Sequence, residues 1–258
     1  KEGLTVFRDQ EVSSDVESRP MKRLEAVRVI TGPQFDEDAG PMTHPIRPDY
    51  VMEMNNFYTV TVYDKGAEVF RMLHTILGEE KFQKGMKLYI SRFDCGCATC
   101  DDILKAMSDA SDIDLTAFSR WFSQSGTPRL KVRTRYEAKE KKLYVSLDQM
   151  TPPDRKQPEK QPLVLPLRIS FLSQKGEKLP IRESSGAYHD GVLLFDQAHA
   201  DLVFEDLPER PVCSWLDDFS APVRLDAEHT SDELLTLVRY SDDPCTRKFA
   251  AVDLFKSY

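Results

Sequence analysis

Through the first half of the chain, apolar residues recur at the three- and four-residue steps of a helix face. Leu4, Phe7 and Val12 mark a helix over 2–13. Pro20 suits the first turn of a second helix, which carries Met21, Leu24, Val27 and Ile30 and is expected to stop at Gly32-Pro33. Pro41, Pro45 and Pro48 exclude a helix over 40–49 and predict an ordered loop. A longer stripe, Tyr63, Ala67, Phe70, His74 and Leu77, predicts a helix over 56–77, with Gly78 placed to end it and another helix over 79–92. Thr99-Cys100-Asp101-Asp102 resembles a capped start for a helix over 103–110, and 115–123 is the last of the series.

At Gly126-Thr127-Pro128 the period changes from helical to alternating. Leu130, Val132 and Thr134 alternate with polar neighbours, as do Leu143, Val145 and Leu147. After a proline-rich loop over 151–162 come short apolar runs at 163–165, 167–172, 192–195, 202–204 and 222–225. Short strands separated by Gly, Pro and Asp predict an antiparallel β-sandwich. Helical spacing returns at Asp232-Glu233-Leu234-Leu235. The expected organisation is a multidomain α+β chain. Residues 1–127 form a helical part, 128–227 the sandwich, and 228–258 the first helices of a further domain.

The net charge of −8 is spread along the chain with no concentrated basic face, which argues against nucleic acid as a partner. No apolar run approaches the length of a membrane helix, so no membrane association is expected. The five cysteines are unevenly spaced and make no secreted disulfide framework, so a reducing, cytoplasmic setting is expected. The chain starts without methionine and ends inside a helical pattern, so it is expected to be an interior piece of a longer protein.

Pattern alone supplies no complete catalytic constellation. No two of His44, His74, His189, His199 and His229 stand four apart, so there is no H-E-x-x-H pair, and there is no Gly-rich phosphate loop. Cys95, Cys97 and Cys100 have a spacing a metal could use, but no fourth ligand stands nearby, and a loop leading into a helix cap is the plainer expectation. On these grounds alone, a helical and β-sandwich scaffold without catalysis is the competing reading.

Three blocks change the picture. They are Lys1-Glu2-Gly3-Leu4-Thr5-Val6-Phe7-Arg8-Asp9-Gln10, Met54-Asn55-Asn56-Phe57-Tyr58-Thr59-Val60-Thr61-Val62-Tyr63-Asp64-Lys65-Gly66-Ala67-Glu68-Val69, and Trp121-Phe122-Ser123-Gln124-Ser125-Gly126-Thr127-Pro128. In order and spacing they resemble the aminopeptidase N group, the bacterial and apicomplexan branch of the zinc-dependent gluzincin aminopeptidases. Glu159-Lys160-Gln161-Pro162-Leu163 and Phe219-Ser220-Ala221-Pro222-Val223 resemble that family's β-domain.

The resemblance implies that the helical part is the C-terminal portion of a thermolysin-like catalytic domain. It implies one Zn2+ in the parent enzyme, with Glu2 as a ligand. Tyr63 would be the catalytic tyrosine that donates to the developing oxyanion, and Tyr58 and Asn55 would line the substrate pocket. Asp9 would orient a zinc-binding histidine from behind. The implied substrates are peptides with a free N-terminus. The implied partner is the rest of the parent chain, and a monomer is expected. The family's H-E-x-x-H helix and G-A-M-E-N segment are absent, so the chain alone is expected to be inactive and to hold no zinc.

Overall fold

The structure, a computed structural model, describes residues 1–256. Helix α1 (Glu2–Val16) buries Phe7, and α2 (Arg19–Val29) buries Val27. The second helix does not stop at Gly32-Pro33. It widens into a π-helical turn over Ile30–Gln34 that contains Pro33, then continues as α3 (Phe35–Ala39). A proline ring in an α-helix strikes the carbonyl one turn back, and a wider turn relieves that clash.

The helix expected from 56 also begins differently. Asn55 and Asn56 lie in a 3-10 turn (Met54–Phe57), and the chain leaves helical geometry at Tyr58 (φ −87°, ψ 74°). It re-enters through a second π-helical turn, Thr61–Lys65, that runs straight into α4 (Gly66–Phe93). Gly78 breaks α4 as expected, at φ 73° and ψ 164°. The Thr99 side chain caps α5 (Cys100–Ser111) in a reciprocal capping box with Asp102. A short α6 (Arg120–Ser123) completes the helical part.

The β part contains three small sheets. In the first, β1 (Arg129–Glu137) pairs with β2 (Lys142–Met150), β2 with β8 (His199–Phe204), and β1 with β10 (Arg224–Ala227). In the second, β7 (Val192–Phe195) lies between β3 (Leu165–Arg168) and β6 (Tyr188–His189). In the third, β4 (Ser170–Leu172) lies between β5 (Lys178–Leu179) and β9 (Val212–Ser214). Among the described residues, every strand pair is antiparallel except β1 with β10, which joins the sandwich's first and last strands in parallel.

The apolar core is continuous from the helices into the sandwich, linking Phe70, Leu73, Phe118 and Trp121 with Leu165, Leu167 and Leu193. Hydrogen bonds follow the same seam. Trp121 Nε1 donates to the Val164 carbonyl at 2.8 Å, and Arg120 to that of Pro162 at 2.9 Å. Helices α7 (Ser231–Tyr240) and α8 (Pro244–Lys256) bury Leu234, Leu237 and Ala250 against Leu172 and Val212 in a smaller cluster. Among the described residues, no helix is long and apolar enough to cross a membrane.

Candidate active site

Gly3, beside Glu2 at the start of α1, lies against Gly66 at the start of α4. A Cβ on Gly3 would fall 2.5 Å from the Gly66 carbonyl carbon, so main chain meets main chain with no room for a methyl group. This crossing sets the helix that begins with Glu2 directly beside the turn that carries Tyr63.

Glu2 is 7% exposed and lines a cavity of about 300 Å³ shared with Ile46, Arg47, Phe57, Val62 and Phe70. The loop on the cavity's far side is held by Arg47, whose N–H donates to the Phe122 carbonyl and whose guanidinium donates to Asp101. Burial pushes the Glu2 carboxyl up. Its own backbone N–H and the Lys1 terminal ammonium, 3.4 Å away, outweigh burial and hold it below the usual carboxylate value. That ammonium becomes an amide in any chain with a residue before Lys1.

Tyr63 is half-buried at the middle of its π-helical turn. Its ring meets the Tyr58 ring edge-on at 6.3 Å, and Tyr58 in turn packs on Phe57 at 5.6 Å. The Tyr63 hydroxyl has no hydrogen-bond partner among the described residues. Tyr63 does not line the Glu2 cavity, although Val62 and Gly66 from either side of it do. Tyr58 is 51% exposed and Asn55 is exposed, both on the segment leading into the turn. Asp9 lies on the exposed side of α1 with no hydrogen-bond or ion-pair partner among the described residues.

As a metal ligand, Glu2 fits in part. It is a buried, ionised carboxylate on a cavity wall that Cys100 also lines, but it belongs to no group of three or more close ligand atoms among the described residues. No complete set of zinc ligands therefore surrounds Glu2 among the described residues. Cys95, Cys97 and Cys100 are free thiols, the first two exposed, and their sulfurs do not gather at ligand distance. The one group of close candidate ligands among the described residues is Asp218, Asp243 and Cys245. Burial pushes the Cys245 thiol up to about 12, so it favours its protonated, non-ligating form, and burial pushes the Asp243 carboxyl upward as well.

Residues 1–122 match the profile of the peptidase family M1 domain, and 126–228 match that of a domain of unknown function, DUF3458, described as having an Ig-like fold. The chain is 49% identical over its whole length to aminopeptidase N of Escherichia coli and 48% identical over 99% of it to that of Haemophilus influenzae. The chain belongs with the aminopeptidase N proteins of peptidase family M1. It spans 30% and 29% of the lengths of those two relatives. A crystal structure of Legionella pneumophila aminopeptidase A in complex with aspartic acid superposes on 99% of the chain and 27% of that protein, with a TM-score of 0.82 at 25% identity.

Some polar groups around the turn that carries Tyr63 were not apparent from periodicity. Lys65 falls within an apolar helix pattern yet is 1% exposed, and Asp38 belongs to an acidic run that reads as solvated surface yet is buried beside it. The sequence signal at Lys65 was a charge within an otherwise apolar pattern, and Asp38 carried none that set it apart from its acidic neighbours.

Proposed function

We propose that the parent protein is a zinc-dependent aminopeptidase that releases the N-terminal residue from peptides, and that this chain contributes one metal ligand, Glu2, and the oxyanion donor, Tyr63. The observation that supports the pairing is the Gly3–Gly66 crossing, which sets the two residues' elements against each other. The relatives named aminopeptidase N support the activity.

In this reading, zinc held partly by Glu2 would supply Lewis-acid polarisation and activation of water. The roles of the chain's own residues follow from their placement. As the scissile carbonyl becomes tetrahedral, its oxygen gains negative charge, and a phenol O–H aimed at that oxygen stabilises the transition state more than the ground state. Tyr63 suits this task because its hydroxyl is not committed to a protein acceptor and its ring is braced by Tyr58. Tyr58 and Asn55, exposed on the approach to that turn, would contact the substrate's first side chain. Asp9, on α1 below Glu2, would act through a histidine from the missing part of the chain. A single-chain parent in a reducing, cytoplasmic setting agrees with five free thiols.

The test uses the full-length parent and a chromogenic amino-acyl amide. Tyr63→Phe should lower kcat by ~10²–10³-fold while leaving Tm and zinc content unchanged. Turnover near that of the unmodified enzyme would reject the role of Tyr63. The 258-residue chain alone should bind no stoichiometric zinc and show no turnover.

A further inference from the structure

The π-helical turn that carries Tyr63 is held at both ends by one short helix. Thr61 and Lys65, its first and last residues, are 0% and 1% exposed. Thr61 donates to a single oxygen, Glu37 Oε2, from its backbone N–H at 3.0 Å and also from its hydroxyl. Gln34 Nε2 donates to the same hydroxyl oxygen at 3.3 Å. At the other end, Lys65 Nζ donates to Asp38 Oδ2 and to the Gly126 carbonyl, both at 2.8 Å, and Thr127 Oγ1 donates to Asp38 Oδ2 at 2.7 Å. Glu37 and Asp38 are neighbours in α3.

This arrangement has a directional consequence. A π-helical turn accommodates one residue more than an α-helical turn and is intrinsically the poorer geometry, so it persists where surrounding contacts fix it. The N–H groups of a helix's first turn lack intrahelical acceptors, and at Thr61 the Glu37 carboxylate supplies one. If the turn relaxed to α-helical register, the side chains in it would shift by one position, a rotation of about 100°. The Tyr63 hydroxyl would then point elsewhere while the helix stayed folded.

We propose that Glu37 is a positioning residue. Through Thr61 it holds the π-helical turn in register and so sets the direction of the Tyr63 hydroxyl, with Asp38 anchoring the turn's other end through Lys65. The proposal rests on the reading of Tyr63 as the oxyanion donor.

The experiment is a double-mutant cycle in the full-length parent, joined to hydrogen–deuterium exchange of the segment 59–66. Glu37→Ala should lower kcat by ~10–100-fold with KM changed by no more than about twofold, the scale expected when the turn keeps its register for only part of the time and the catalytic group is aligned in that part alone. Glu37→Gln should recover most of that loss, because its amide oxygen can still accept both bonds from Thr61. In a Tyr63→Phe background, Glu37→Ala should lower kcat no further than about twofold, since two residues acting on one interaction are not additive. Amides of the turn should exchange faster in Glu37→Ala. If that variant does not fold, Thr61→Val, which deletes only the hydroxyl's bonds, should show the same non-additivity at a smaller loss.

Unchanged kcat and exchange in Glu37→Ala would overturn the proposal. So would a full additive loss in the Tyr63→Phe background. A slow Tyr63→Phe beside a normal Glu37→Ala overturns the positioning role alone. A Tyr63→Phe with ordinary turnover overturns the reading of Tyr63, and the positioning role with it.

Discussion

Asp154 shows how one side chain can tie two parts of the molecule. It sits in the proline-rich loop, where its carboxylate accepts from Lys160 Nζ at 2.6 Å and from Ser125 Oγ at 2.6 Å, so the loop is tied to the end of the helical part. Partial burial pushes its carboxyl up. Lys160, the Ser125 hydroxyl and the N–H groups of Gln157 and Lys156 more than offset this and bring it to about 2. The folded protein therefore keeps Asp154 ionised at pH values where the unfolded chain has taken up a proton. The stability this contributes is present above the unfolded value near 3.8 and is lost as pH falls from there toward about 2. Asp154→Asn should be less stable than wild type near neutral pH, and the difference should shrink across that acid window. Melting temperatures of both proteins through the window would check this. A constant difference would mean that Asp154 acts through packing alone.

At the scale of elements, much of the helical part was legible because its apolar faces repeat. The predicted break at Gly78 is an instructive case. Its φ of 73° and ψ of 164° lie in a region open to glycine and costly for other residues, and a Cβ there would meet nothing within 4 Å. Gly78→Ala should therefore destabilise the protein by ~1–3 kcal/mol from backbone conformation alone. Gly32, equally uncrowded but without a positive φ, should accept alanine with no loss. Urea midpoints of the two variants give the comparison, and equal midpoints would sink it.

The alternation in β1 and β2 announced strands, but the parallel pairing of β1 with β10 joins residues far apart in the chain and leaves no periodic trace. The π-helical turns were not legible for a related reason. Each is a single irregular turn, too short to shift the spacing of apolar residues around it. For the candidate site, Glu2, Tyr63, Tyr58, Asn55 and Asp9 stood out only through the resemblance of long blocks. The Glu37–Thr61 and Asp38–Lys65 contacts lie between segments that no local pattern connects.

At the scale of the whole molecule, the helical part and the sandwich share one core, and Arg23 is a buried polar link between them. From α2 it makes a paired contact with Glu68 on α4, at 2.6 and 2.8 Å, and also donates to the carbonyls of Asp218 and Phe219 in the 3-10 turn between β9 and β10. Burial pushes the Glu68 carboxyl up, but the guanidinium groups of Arg23 and Arg71 hold it below the usual range. Arg23→Ala would leave Glu68, 1% exposed, without its main partner and should cost about 3–5 kcal/mol in chemical unfolding. Replacing the pair together with Met and Leu should cost much less, because no buried charge is stranded. Equal losses in the two variants would show that packing, and not charge, dominates at this link.

The contact of Gly3 with Gly66 works as a gauge block. Most distances in a folded protein are set by side chains, which can repack, swap rotamers or be exchanged for others of similar volume. Two main chains already touching have no such slack, since nothing compressible lies between them. Core substitutions elsewhere in the helical part can thus alter stability while the interval between the starts of α1 and α4 stays the same. A reaction centre assembled from those two starts would inherit its dimensions from the peptide backbone itself.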